Sequence, residues 1–399
     1  MPPATDDIDR TGLRADSPIA KLPEKSSPGV FLMIESLQTG GSERQFVALS
    51  RSLDPGHFRV SLGCIKATGP LLEGLTLERF PLGGSVYRFQ SWRTRVALGR
   101  YLHRYSVSIA HAFDFYSNLT LVPAARLARI PVVIASQRQL GDLLTPAQSR
   151  LQNLIFRWSD AVVCNSQAAA ERLIDAGLPE RKARVIWNGL APENFATTAA
   201  ALPRRPGWLR VGMIARMNSR AKNHSLFLRA ASRVREALPQ VEFILVGDGP
   251  FRTELESEAA GLGLGERVKF LGDRRDIPSI LASLDLTALS SDSESLSNAV
   301  IESMAAGVPV VATNVGGNPE LLAEERGIAV PAYDDAAFAA ALIKLLQNEQ
   351  LRARMGQSCR SFAKENLTLH KMQRSHEQLY MELLQSKSRK NRVVQQSSS

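Results

Sequence analysis

Cysteine is scarce in this chain. Cys64, Cys164 and Cys359 are scattered singly, with no Cys-x-x-Cys and no metal-ligand spacing. That excludes a disulfide framework and fits a reducing compartment. Long apolar runs are missing too: none approaches the ~18 residues needed to span a bilayer. Residues 1–27 carry Asp6, Asp7, Asp9 and Asp16 without an apolar core of signal-peptide length, so they read as a flexible tail. Aromatics are only 6% of the residues. No stacking motif or recognition-helix pattern accompanies the basic charge, so nucleic acid is not an expected partner. The chain's one Asp-x-Asp triplet, Asp7-Ile8-Asp9, falls in the tail.

What is present fits a globular protein with two sizeable cores: 399 residues, 44% apolar and 22% charged. The net charge of +10 is unevenly placed. Residues 28–205 carry 21 Lys and Arg against 12 Asp and Glu, whereas residues 206–385 carry 20 against 22. A basic first half suits an anionic membrane surface or an anionic acceptor; a plainly solvated surface is the alternative.

The most informative stretch runs from Ser291 to Thr313. An apolar strand, Leu286 to Leu289, precedes it, and a second apolar run, Val308 to Ala312, closes it. Between them Ser297 is an N-cap, Asn298 to Ala306 can be helical, Gly307 suits a left-handed C′ position and Pro309 forbids continuation. The free N–H groups at Asn298 to Val300 can hold phosphate oxygens at the positive end of the helix dipole. Glu294, ahead of the cap, would reach a group beyond the phosphate, and Glu302, one turn in, could accept the two hydroxyls of a ribose. Taken alone, either acid reads first as a solvated helix-end group.

Strands and helices alternate through the rest of the chain, as in a parallel, right-handed, doubly wound α/β sheet that binds ligands at the C-terminal ends of its strands. The first strand, Gly29 to Ile34, leads through Gly40-Gly41-Ser42-Glu43-Arg44-Gln45 into a helix, a loop whose glycines allow close backbone approach to a ligand. His111, Phe113, Asp114, Tyr116 and Asn118 fall at one strand end, Ser136 and Arg138 at another. Helices are expected over Trp92 to Tyr105 and Tyr116 to Ala128. The irregular stretch Thr197 to Gly207 reads as an interdomain linker. Beyond it a second sheet starts at Leu209 to Ala215, followed at once by Arg216 and Lys222, two cations placed to neutralise a diphosphate. Arg220 and His224 read as surface residues. Gly247 lets the chain turn after Val241 to Val246, and Arg274 follows Val268 to Gly272.

Glu294 and Glu302, separated by seven residues and followed by Met-Ala-x-Gly-x-Pro-Val-Val, resemble the donor site of the family 4 retaining glycosyltransferases. The Gly-Gly-Ser-Glu-Arg-Gln loop, Asn165-Ser166, Asn188-Gly189, the Arg216/Lys222 pair and Gly316-Gly317-Asn318-Pro319-Glu320 resemble other motifs of that family, in order. The Glu-Ser-Leu-Ser-Asn form of the central loop resembles the bacterial polysaccharide and lipopolysaccharide, group 1 type.

The resemblance implies two facing Rossmann-like domains, the GT-B fold. It places an acceptor-binding domain over 28–196, a linker over 197–207 and a nucleotide-sugar domain over 208–366. A helix over 367–386 returns to the first domain, ahead of a disordered tail at 387–399. It implies retaining transfer of a hexose-type sugar from a UDP- or GDP-sugar to a glycan or lipid-linked hydroxyl, with no cofactor or metal required. The setting would be cytoplasmic, or peripheral at the inner face of the cytoplasmic membrane. By the same resemblance Arg216 and Lys222 stabilise the leaving diphosphate, with Gly40, Gly41, Ser297 and Asn298. Glu294 holds the sugar, Glu302 the ribose, and Gly247 and Arg274 lie beside the nucleotide.

The chain departs from the family at His111-Ala112-Phe113, where a second histidine is usual. That leaves open whether His111 or Asp114 supplies the polar contact near the transferred sugar. Two alternatives share the architecture. A sugar-nucleotide epimerase would release epimerised nucleotide sugar without acceptor, and a donor-binding homologue that has lost activity is the alternative Phe113 raises, which Glu294→Ala and Lys222→Ala variants decide.

Overall fold

The computed structural model describes residues 27–83, 89–142 and 144–396. Among these described residues, thirteen strands fall into two wholly parallel sheets. The first sheet contains β1 (Gly29–Ile34), β2 (Arg59–Cys64), β3 (Glu78–Arg79), β4 (Val107–Ala112), β5 (Val132–Gln137), β6 (Ala161–Cys164) and β7 (Ala183–Val185), in the order β3-β2-β1-β4-β5-β6-β7. The second contains β8 (Leu209–Ile214), β9 (Val241–Val246), β10 (Val268–Phe270), β11 (Leu286–Leu289), β12 (Val310–Thr313) and β13 (Gly327–Val330), in the order β10-β9-β8-β11-β12-β13. Strand order reverses between β1 and β4, and again between β8 and β11. A crevice opens beyond the strand C-termini at each reversal, and ligands bind there in sheets of this kind.

Helices cover both faces of each sheet. In the first lobe α1 (Gly41–Ser52) lies on one face. Helices α2 (Phe89–Arg104), α3 (Phe115–Leu127), α4 (Pro146–Trp158) and α5 (Gln167–Asp175) lie on the other. In the second lobe α6 (His224–Ala237), α7 (Arg252–Gly261) and α11 (Asp335–Leu346) share a core. The opposite face is covered by α8 (Ile277–Leu281), α9 (Asn298–Ala306), α10 (Asn318–Leu322) and α12 (Glu349–Asn366). The last helix, α13 (Leu369–Gln396), crosses back: Met372, Leu379 and Tyr380 complete the first lobe's core beside Phe46 and Phe58. Pro123 sits inside α3 and leaves the Leu119 carbonyl without its helical donor. Arg95 on α2 fills the gap, its guanidinium donating to that oxygen at 3.2 Å.

Two details differ from the expectations. The chain passes between lobes at Leu190, not within 197–207. Leu190 lies in the core of α9, its N–H donates to the Leu367 carbonyl, and the Leu369 N–H donates back to Leu190, each at 2.8 Å. The Thr197 to Gly207 stretch is laid along the second lobe, with Leu202 N–H on Ser283 Oγ and Arg210 on the Leu202 and Pro203 carbonyls. Its prolines and glycines marked irregular backbone, which is a different property from a crossing. Helix α13 runs to Gln396, past Ser386, because residues 387–396 are mostly good helix formers with no Gly or Pro, and Lys387 is anchored on Asp160 at 2.6 Å. The tail read over 1–27 lies, Ser27 apart, outside the described residues, as do 397–399.

Candidate active site

The second lobe's half of the cleft is built at its own reversal point. Helix α9 keeps its expected bounds: Ser297 accepts from the Val300 N–H, and Gly307 ends the helix at φ +75°. The Lys222 turn is held on the loop after β11 by Asn223, whose amide donates to Asp292 Oδ1 at 2.7 Å, and by Ser290, whose hydroxyl donates to the Asn223 carbonyl at 2.8 Å. Lys222 Nζ then reaches Glu294 Oε1 at 2.5 Å, and Ser291 Oγ donates to the same oxygen at 2.8 Å. A cation and an acid far apart in the chain are thereby brought side by side. Arg216, just past β8, is exposed and forms no ion pair among the described residues. Gly247 lies directly behind it, at φ +131°, where a Cβ would meet the Ala215 carbonyl oxygen at 2.2 Å. It supports the Arg216 backbone from behind. Arg274 stands apart, on the loop after β10, paired with Asp276 at 2.6 Å.

His224, expected at the surface, is buried. It opens α6, with Nε2 3.3 Å from the Ala215 carbonyl, and burial pushes its pKa down to about 4. Arg220 is exposed, as expected, and pairs with Glu254.

The first lobe contributes differently. Gly40 caps α1 in extended backbone, and the Glu43 carboxylate folds back over it. A Cβ on Gly41 would lie 2.9 Å from the amide nitrogen of Asn298, so this glycine admits the opposite lobe. His111 does not face the cleft. Its strand alternates Ala110 and Ala112 toward one core and Ile109 and Phe113 toward the other. His111 therefore points under α13, its Nδ1 2.8 Å from the Tyr380 hydroxyl and its Nε2 2.9 Å from Ser136 Oγ. Burial holds it well below the usual histidine range. Asp114 caps α3: Oδ1 accepts from the Ser117 N–H at 2.8 Å and Oδ2 from the Glu35 N–H at 2.6 Å. Burial pushes its carboxyl up to about 6, against those donors. Both side chains are thus committed to the fold, and the cation that stands over Phe113 is Arg138, 5.1 Å from the ring centroid.

The lobes meet through side chains that no short motif joins. Arg44 Nη1 donates to Glu302 Oε1 at 2.7 Å, so the acid expected to take ribose hydroxyls already has a cation. Burial raises its pKa, with Arg44 opposing. Asn298 accepts from Asn188 Nδ2 at 2.8 Å and donates to the Gly41 carbonyl at 3.4 Å. Ser295 donates to Asn165 Oδ1 at 2.5 Å and lies 3.2 Å from Ser166 Oγ. Glu320 accepts from the Gln167 N–H. The arrangement offers an anion two cations, a helix start and a glycine loop, with an acid beside it for a polar, hydroxyl-rich group.

Two facing Rossmann-like lobes with such a cleft make up the GT-B architecture. The family comparisons agree lobe by lobe: residues 39–194 match the model described as Glycosyltransferase Family 4, and residues 209–348 the model described as Glycosyl transferases group 1. The chain belongs to the family 4, group 1 glycosyltransferases, and it is a transferase. It is 34% identical to a lipopolysaccharide core biosynthesis glycosyltransferase of Rhizobium meliloti, over 51% of this chain and 58% of that one, so this match spans little more than half of the relative. It is 25% identical to a UDP-Gal:α-D-GlcNAc-diphosphoundecaprenol α-1,3-galactosyltransferase of Escherichia coli, over 83% and 91%. An Anabaena protein crystallised with UDP shares the fold, with a TM-score of 0.78 at 23% identity, over 89% of this chain and all of that one. No helix among the described residues is long and apolar enough to cross a membrane.

Proposed function

We propose that this protein transfers a hexose-type sugar from a UDP- or GDP-sugar, with retention at the anomeric carbon, to a hydroxyl of a lipid-linked glycan or lipopolysaccharide intermediate. The observation that carries the reading is the Lys222–Glu294 contact of 2.5 Å. A cation suited to the departing diphosphate adjoins an acid suited to sugar hydroxyls, so the bond to be broken lies where the two meet.

As the bond between the anomeric carbon and the phosphate oxygen breaks, positive charge grows on the sugar and negative charge on the diphosphate. Lys222, Arg216 and the N–H groups at the start of α9 stabilise the diphosphate charge. Glu294 orients the sugar. The acceptor hydroxyl attacks from the face the phosphate is leaving, and the phosphate oxygen takes its proton, without a metal. A double displacement would need a second carboxylate about 5 Å away to act as nucleophile, and Asp292, in the same loop, is turned to Asn223 instead.

The acceptor class draws on the Rhizobium and Escherichia relatives. Its delivery at an anionic membrane surface, on the cytoplasmic side, draws on the basic first lobe. There Phe89 and Trp92 stack in the open at the start of α2, with Arg93 and Arg100 exposed beside them.

A thermal-shift panel of nucleotide sugars tests the donor: ligand at 100 times its dissociation constant adds about 2.7 kcal/mol. Lys222→Ala and Glu294→Ala should each lower transfer by about 10²–10³. Activity kept within a few fold in both would sink the site. Vesicle cosedimentation should favour anionic over neutral lipid, and equal binding to the two ends the electrostatic version.

A further inference from the structure

Arg138 is a cation at the cleft that the mechanism above leaves unused. It follows β5 at the strand's C-terminal end, next to the reversal point of the first sheet. Its Nη2 donates to Asn188 Oδ1 at 2.7 Å, Asn188 donates to Asn298, and Asn298 donates to the Gly41 carbonyl. A directed chain of hydrogen bonds thus ties the guanidinium to the start of α9 and to the glycine loop, the two elements suited to phosphate.

Arg138 itself is incompletely satisfied. It forms no ion pair among the described residues, and its Nε is buried with no hydrogen-bond partner. Burial works against its charge, and Glu43 is the carboxylate whose field opposes that effect. Glu43 in turn feels both Arg216 and Arg138. The two arginines, one from each lobe, thus act on the same carboxylate. A desolvated cation with an unpartnered donor is costly unless a ligand brings the opposing charge.

We infer that Arg138 is a third cation of the leaving-group site, its guanidinium charge set against the donor diphosphate while Arg216 and Lys222 grip it from the other lobe. This rests on the nucleotide-sugar reading. It assigns the first lobe a direct part in leaving-group stabilisation, beyond its backbone N–H groups.

Calorimetric titration of UDP and of GDP into wild type, Arg138→Gln and Arg138→Lys, with melting of each unliganded protein, tests it. Wild type should bind one nucleotide, R138Q should bind it about tenfold more weakly, and R138K should lie between. Unliganded R138Q should melt no lower than wild type, because it removes an unpaired buried charge, whereas loss of a purely structural arginine would lower the melting temperature. A loss of affinity smaller than threefold in R138Q overturns the inference and leaves the function standing. Should R138Q fail to fold, R138K carries the test by the same threshold. Wild type that binds neither nucleotide overturns the nucleotide-sugar reading itself, and this inference with it.

Discussion

The two faces of the cleft are built by different means. On the second lobe's face Lys222, Glu294, Ser291, Asn223 and Asp292 satisfy one another within a single lobe. On the first lobe's face the titratable groups nearest the strand ends turn inward, His111 to Tyr380 and Ser136, and Asp114 to two backbone N–H groups. What that lobe offers instead is backbone at Gly40 and Gly41 and the cations Arg44 and Arg138, whose partners lie in or near the other lobe. One face is assembled in advance, and the other is completed by contact between lobes.

Gly316 gives the strongest means of breaking that comparison. It sits at φ +51°, and a Cβ there would fall 1.5 Å from the Glu294 carbonyl oxygen, while Gly317 N–H donates to the Ser295 carbonyl at 2.9 Å. The atom met is backbone, so no side chain can swing aside. Gly316→Ala should displace the Glu294 loop by about an ångström and lower kcat roughly 10²-fold, since misplacement on that scale has such a cost. The measurement is nucleoside diphosphate release under saturating donor. An unchanged kcat would mean that the preassembled face is more pliable than its contacts imply.

The same contrast explains what could be read from the chain. Helix α9 was legible down to its caps because Ser297, Gly307 and Pro309 act on their own neighbours. The reversal points followed from alternating strands and helices. His111 was not legible as a core residue. A parallel sheet is buried on both faces, so alternation along β4 separates one core from another without telling core from cleft. Arg44 and Glu302 stand 258 positions apart, and Asn188 and Asn298 110 apart, so no local pattern joins either pair. His224 misled for a related reason: a polar residue in a basic turn looks solvated, yet it is tucked against Ala215 to hold the Arg216 loop.

Arg44 sharpens the comparison from the first lobe's side, with a smaller effect. Its side chain is 46% exposed and that of Glu302 only 7%, so the exposed partner limits the pair's worth to about 1 kcal/mol. Arg44→Ala should lower the melting temperature of the empty protein, because the buried carboxylate loses its cation. It should also leave Glu302 free for ribose hydroxyls, so the melting rise on adding the cognate nucleoside diphosphate should grow. The opposite signs are the test. Weaker nucleotide binding in R44A would show that the arginine helps to hold the ligand and does not compete with it.

The smallest effect belongs to the rim, where Glu320 on α10 accepts from the Gln167 N–H, the first residue of α5, at 3.1 and 3.2 Å. Burial, reinforced by Glu171 and opposed by the Gln167 N–H, pushes this carboxyl up to about 7. An acid that holds its proton more tightly when folded than its ordinary value of 4.5 contributes stability at low pH. That contribution falls as pH climbs from about 4.5 to about 7, and is level above. Glu320→Gln keeps an oxygen to accept from Gln167 but cannot titrate. Its melting temperature should therefore vary less between pH 5 and pH 7 than that of wild type, while the two proteins keep parallel slopes above that range. Parallel slopes throughout would place this contact outside the set of groups through which the lobes hold each other.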